Sequence, residues 1–108
     1  MSDYLIIESR DPLQCADTRF SFDLASGLAA QGKKVSIFLV QNGVMPARRG
    51  ARTELFDMAR DAGVTVLADD FSLRERGIGA DQLVTGVSAS PMEIVVDALA
   101  AGTKTFWH

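Results

Sequence analysis

Between Lys33 and Val44 the chain carries an unbroken apolar run, Val35, Ile37, Phe38, Leu39 and Val40, that stops abruptly at Asn42-Gly43. The run lacks the apolar/polar alternation of a strand with one wet face, so it predicts a central strand over Lys34–Val40 covered on both sides, as in a parallel sheet flanked by helices. Asn-Gly ordinarily marks a hairpin turn. Here Met45-Pro46-Ala47-Arg48-Arg49-Gly50 follows, which is no returning strand, so the pattern predicts a loop from Gln41 to Arg52. Its length and Gly/Pro/Arg content predict mobility.

The same reading places the other elements. Tyr4-Leu5-Ile6-Ile7 is a first strand that breaks into the polar loop beginning Glu8-Ser9-Arg10-Asp11-Pro12. A helix from about Cys15 to Gln31 follows, with Ala16, Phe20, Leu24 and Leu28 as its apolar row and Gly32 as its stop. A second helix spans about Thr53 to Ala62, its apolar side being Leu55, Phe56, Met58, Ala59 and Ala62, and Gly63 ends it. Val64–Ala68 reads as a strand running into Asp69-Asp70. Ser72-Leu73-Arg74-Glu75 has capping-box spacing and predicts one helical turn, while Gln82–Val87 reads as a weak strand. Ser90-Pro91-Met92-Glu93 combines an N-cap Ser with Pro at the first helical position, so a third long helix is expected from there to Gly102. Its apolar face is Met92, Val95, Val96 and Leu99, and Thr103–Trp107 is a last strand.

Strands and helices that alternate through short connections predict a flavodoxin-like α/β three-layer sandwich of about five mostly parallel strands. The 108 residues suit one domain over 1–108. In such a sheet the loops at the carboxyl ends of the strands share one rim, where ligands bind. That rim holds Glu8–Cys15, Gln41–Arg52, Asp69–Arg76 and Trp107-His108.

Charge and composition narrow the function. A net charge of -3 gives no broad attraction for nucleic acid, and although Arg48, Arg49 and Arg52 form a local basic patch, a solvated loop is its simpler reading. Cys15 is the sole cysteine, which excludes an internal disulfide and suits a reducing, cytoplasmic setting. No stretch approaches the ~20 apolar residues of a membrane span.

Each candidate residue carries two readings. Cys15 lies near a helix start with Arg10 and Arg19 close in sequence, which favours a reactive thiolate, yet free cysteines commonly pack as small hydrophobes and Asp11 and Asp17 oppose activation. Asn42 and Gly43 could offer an amide and backbone N–H groups to a ligand, or serve backbone geometry alone. Asp69 and Asp70, with Glu8, could hold a cation as in phospho-receiver domains, but the late Lys of those domains is missing. Capping a loop or meeting Arg74 and Arg76 is the simpler role, and no metal site is assigned. His108 is the last residue of the sequence, and a frayed terminus scaffolds acid/base catalysis poorly. Trp107 is expected to pack, against another subunit if not internally. Walker, G-x-G-x-x-G and nucleophile-elbow motifs are absent, so no cofactor is expected.

Taken together, Phe22-Asp23-Leu24-Ala25 closing on Gln31-Gly32-Lys33, the strand Val35–Val40 with Gln41-Asn42-Gly43-Val44, and Arg74-Glu75-Arg76-Gly77-Ile78 resemble the DsrE/DsrF-like family, which includes TusD- and TusB-type sulfur-relay proteins. The resemblance implies a homo-oligomer (dimer, trimer or hexamer), a sulfur-carrier protein partner, and persulfide transfer by a Cys after the third strand. Aligning Arg76-Gly77-Ile78 puts that Cys position at Ala68-Asp69-Asp70, where no thiol stands. Two functions follow. The chain is a sulfur carrier or sulfurtransferase-like protein that accepts sulfane sulfur on Cys15, or a non-catalytic subunit whose rim binds a small ligand or a partner through Asn42, Gly43, Asp69 and Arg76.

Overall fold

The structure, a computed structural model, describes residues 2–51 and 54–108. Arg52 and Thr53, the end of the expected loop and the start of the expected second helix, lie outside the described residues. Strands β1 (Tyr4–Glu8), β2 (Val35–Leu39), β3 (Thr65–Asp69), β4 (Val87–Ser90) and β5 (Lys104–Trp107) alternate with helices α1 (Thr18–Ala30), α2 (Leu55–Asp61), α3 (Asp70–Glu75) and α4 (Glu93–Ala100). The strands form one sheet in the order β4-β3-β2-β1-β5, and every pairing is parallel. The expected α/β, flavodoxin-like class holds.

Both faces of the central strand are covered, as its apolar run requires. All five residues of β2 are buried. On one face Ile6, Ile37, Leu39, Val66 and Ala68 pack with Phe22 and Ala25 of α1, Leu55, Phe56 and Ala59 of α2, and Leu73 of α3. On the other, Leu5, Ile7, Phe38 and Val40 meet Val95 and Ala98 of α4. The division follows from handedness: right-handed crossovers stepping from β1 towards β4 put their helices on one face, and the return from β4 to β5 puts α4 on the opposite face. Consequently β1 and β5 are neighbours whose connections run in opposite senses, and a crevice at the carboxyl ends of such strands is the usual ligand position of open α/β sheets.

Several expected details shift. Helix α1 starts at Thr18 rather than about Cys15, and its buried stripe is Thr18, Ser21, Phe22 and Ala25. Phe20 of the expected apolar row is 68% exposed. A strict four-residue row drifts round a helix of 3.6 residues per turn, and the sheet takes the stripe of mixed three- and four-residue steps. Residues Gln41–Ala47 form a 3₁₀ helix with Gly43, Val44, Pro46 and Ala47 buried, instead of a mobile loop. Its end is tied down where Val84 donates to the Ala47 carbonyl at 2.9 Å and Arg48 bridges Leu83. The weak strand expected over Gln82–Val87 begins only at Val87, because a 3₁₀ turn occupies Ala80–Gln82.

Helix α4 departs most. Ser90 ends β4 rather than capping the helix, which starts at Glu93 after a Pro91-Met92 turn and carries no side-chain cap. Of the expected face only Val95 packs inward, half-buried with Ile94 and Ala98, while Met92, Val96 and Leu99 are 44%, 62% and 59% exposed. A helix apolar on more than one side leaves the choice of inward face to the sheet.

Candidate functional site

The rim at the strand ends holds two clusters. The first grows from β1. Glu8 is an acid at the end of an otherwise apolar strand, and it is fully buried. Its Oε2 accepts from the Arg10 backbone N–H at 3.0 Å, and its two oxygens lie 2.9 and 3.0 Å from His108 Nδ1. His108 is not frayed. Its N–H donates to the Ile7 carbonyl at 2.9 Å, and its main-chain oxygen accepts from Ser9 N at 3.1 Å and Ser9 Oγ at 2.9 Å. Parallel pairing of β5 with β1 extends through this residue, which overturns the expectation of a loose end.

Cys15 sits in the turn before α1, on the same loop. Asp11 builds that turn: its Oδ1 accepts from Leu13 N at 3.0 Å and its carbonyl from Cys15 N at 2.9 Å. Placed this way, the half-buried thiol receives Arg10 Nη1 at 3.7 Å. The Arg10 guanidinium, and after it the Asp17 backbone N–H, hold the Cys15 thiol below the ordinary cysteine value. A donor pair that stabilises sulfur anion favours thiolate, the nucleophilic form.

The second cluster spans the ends of β2 and β3. Asp69 caps α3: its Oδ2 accepts from Ser72 N at 3.1 Å and from Ser72 Oγ at 2.6 Å. Ser72 is thus inside the helix, not its cap, and its Oγ in turn accepts from Gln41 N at 2.9 Å. The other oxygen of Asp69, Oδ1, is buried and has no hydrogen-bond partner among the described residues. Asp70 stands 3.8 Å from Arg74, an exposed pair of small energetic weight. Asn42 and Arg76 do meet, Arg76 Nε and Nη2 donating to Asn42 Oδ1 at 3.3 and 3.1 Å.

Gly43 joins the clusters. Its role is close approach: the left-handed residue of this turn is Gln41, at φ 51°. A Cβ on Gly43 would be driven into the Glu8 carbonyl oxygen and reach the Glu8 carbonyl carbon at 3.1 Å. That same oxygen accepts from Val40 N at 2.9 Å.

The structure therefore places Cys15 beside Arg10, whose backbone N–H is held by Glu8 of the Glu8–His108 pair, at the β1/β5 end, and gathers Asn42, Gly43, Asp69 and Arg76 at the β2/β3 end. The pattern of residues alone offered both Arg10 and Arg19 as cations near the thiol, of which Arg10 meets Cys15 and Arg19 pairs with Asp23; it did not single out the Glu8–His108 pair. The signal available was the position of Glu8, since an acid closing a buried strand demands a partner.

The chain matches the sequence model of the DsrE/DsrF-like family over residues 2–107. Among solved structures it is similar to the YchN protein of E. coli, with a TM-score of 0.87, 19% identity and 100% of both chains covered. It is also similar to a protein of unknown function from Methanobacterium thermoautotrophicum, with a TM-score of 0.75, 22% identity and 97% and 96% of the two chains covered. A conserved protein of unknown function from Bacteroides thetaiotaomicron gives 0.75, 22%, and 98% and 95%. At these identities the likeness is one of fold. No curated protein matches the chain by sequence. With a family model spanning nearly every residue, the chain belongs to the DsrE/DsrF-like family.

Proposed function

We propose that the chain is a sulfur-relay-type member of this family that accepts a sulfane sulfur on Cys15, works as an oligomer in a reducing cytoplasm, and passes the sulfur to a partner carrier protein. The observation that carries the reading is Arg10 Nη1 at 3.7 Å from Cys15 Sγ. The Cys15 thiolate attacks the outer sulfur of a persulfide donor R–S–SH. The S–S bond breaks, R–S⁻ leaves, and Cys15–S–SH forms with no net oxidation. Arg10 supports the thiolate before attack and the persulfide anion after it. The carboxylate at the position that the resemblance gives to the family Cys does not compete, because a carboxylate has no sulfur on which to hold a persulfide; Asp69 caps α3 instead.

Incubation with glutathione persulfide followed by intact-protein mass spectrometry tests the reading. Gain of one sulfur atom, lost in Cys15→Ser, is the expected result; an unmodified Cys15 under conditions that load a control thiol refutes it. Self-association is supported by Phe106 and Trp107 on opposite faces of edge strand β5, 46% and 68% exposed, and by the outward Met92, Val96 and Leu99 of the α4 region. Sedimentation should give a multiple of the 11.6 kDa chain, and a monomeric mass would refute this part.

A further inference from the structure

The basic residues of the loop after β2 remain without a role in sulfur transfer. Arg48 and Arg49, from that loop, and Arg76, from the end of α3, line a cleft of about 510 Å³ together with Gly77, Ile78 and Gln82. Each guanidinium is held by neutral oxygens. Arg48 Nε donates to the Met45 carbonyl at 2.9 Å, and Arg49 Nη2 to the Asp81 carbonyl at 2.8 Å. Arg76 Nη1 donates to the Ser72 carbonyl at 3.2 Å, and its remaining bonds go to Asn42 Oδ1. Neutral anchors fix the position of a charge without cancelling it.

Carboxylate compensation is slight. Among the described residues neither Arg48 nor Arg49 forms an ion pair, and Arg76 has only Glu75 at 3.8 Å, whose side chain is 54% exposed. Three cations facing one cleft repel one another in a chain whose net charge is -3, so the arrangement is stable at a cost that an anion would relieve. The walls are already tied together. Arg49 N donates to the Gln82 carbonyl at 2.6 Å, Arg48 bridges Leu83, and Ile78 N donates to the Leu73 carbonyl at 2.9 Å. Little ordering therefore remains to be done when a ligand arrives.

We propose that this cleft is a binding site for a small organic molecule bearing a tetrahedral oxyanion, a phosphate ester or its sulfur-oxyanion counterpart. Guanidinium forks match paired oxygens of such groups bidentately. The volume is that of a small-molecule site, on the order of 300–1,000 Å³, and exceeds what a bare inorganic anion fills. A nucleic acid strand is disfavoured because the chain as a whole carries a net charge of -3. The site excludes Cys15, so it stands or falls independently of the sulfur-acceptor reading.

Titration of the full chain with inorganic phosphate, inorganic sulfate, adenosine 5′-monophosphate and adenosine, at constant ionic strength made up with chloride and followed by amide NMR shifts, decides the matter. Saturable shifts confined to residues 48–49 and 76–82 are expected with phosphate, sulfate or both, and whichever anion binds names the source. The monophosphate should bind more tightly than either inorganic ion, adenosine should not bind, and Arg49→Gln should weaken binding about tenfold or more. Cys15→Ser should bind like the parent. Equal shifts with chloride, no saturation by any oxyanion, or unchanged binding in both Arg49→Gln and Arg48→Gln would overturn the proposal; a monophosphate no tighter than the inorganic ions would overturn its organic portion.

Discussion

Gly43→Ala tests the joint between the two rim clusters. The new methyl group would lie against the Glu8 carbonyl oxygen well inside van der Waals contact, and 3.1 and 3.5 Å from the main-chain carbons of Glu8 and Ser9. All three obstacles are backbone, so no side chain can rotate away. Either the 3₁₀ helix or the end of β1 must move. Overpacking of this kind costs about 1–3 kcal/mol. Moving the Glu8 carbonyl also strains the bond it accepts from Val40 N, which is worth about 1 kcal/mol. The expected loss is about 2–4 kcal/mol, which for a domain of this size lowers Tm by at least about 10 °C. Urea denaturation supplies the assay, with Gly27→Ala as the internal control. Gly27 lies in α1 with nothing within 4 Å of an added Cβ, so alanine there should stabilise by about 1 kcal/mol through helix propensity alone. Gly43→Ala within about 0.5 kcal/mol of the parent, a change typical of neutral surface positions, would refute the close-approach argument.

Two further outcomes follow from the β1/β5 cluster. The lowered Cys15 pKa means that the thiolate persists to lower pH than in an ordinary cysteine, so alkylation with iodoacetamide should reach half its plateau at a lower pH than for a cysteine in a short unstructured peptide. Arg10→Ala should move that midpoint upward and slow alkylation at pH 7; superimposable profiles would show that Arg10 does not act on the thiol. His108→Ala leaves the fully buried Glu8 with Arg10 N–H as its remaining hydrogen bond, at a cost of about 1–3 kcal/mol in urea denaturation. Glu8→Gln should recover part of that loss when added to His108→Ala, since an amide buries no charge, and simple additivity of the two single changes would contradict the pairing.

How far the sequence carries is visible at particular elements. The continuous apolar run of β2 declares a strand covered on both faces because nothing else explains five buried residues without alternation. The Ser-x-x-Glu spacing points to Ser72 as the cap, yet the cap of α3 is Asp69, the residue whose backbone is extended at the end of β3. Helix α4 shows the same limit. Its apolar residues circle most of the helix, so only the position of the sheet selects Val95 and Ala98 as the inward side.

By itself the sequence determined the alternation of strands and helices, the parallel doubly covered sheet and the lone thiol beside a helix start, because these depend on residues close together along the chain. The tertiary structure alone decided the chemistry of the rim. Ile7 pairs with Trp107 in the parallel register of β1 and β5, and one step further along both strands brings Glu8 and His108 into contact across 100 positions of sequence. Local pattern carries no information about which distant strand becomes a neighbour, and strand order is fixed only when the crossovers close.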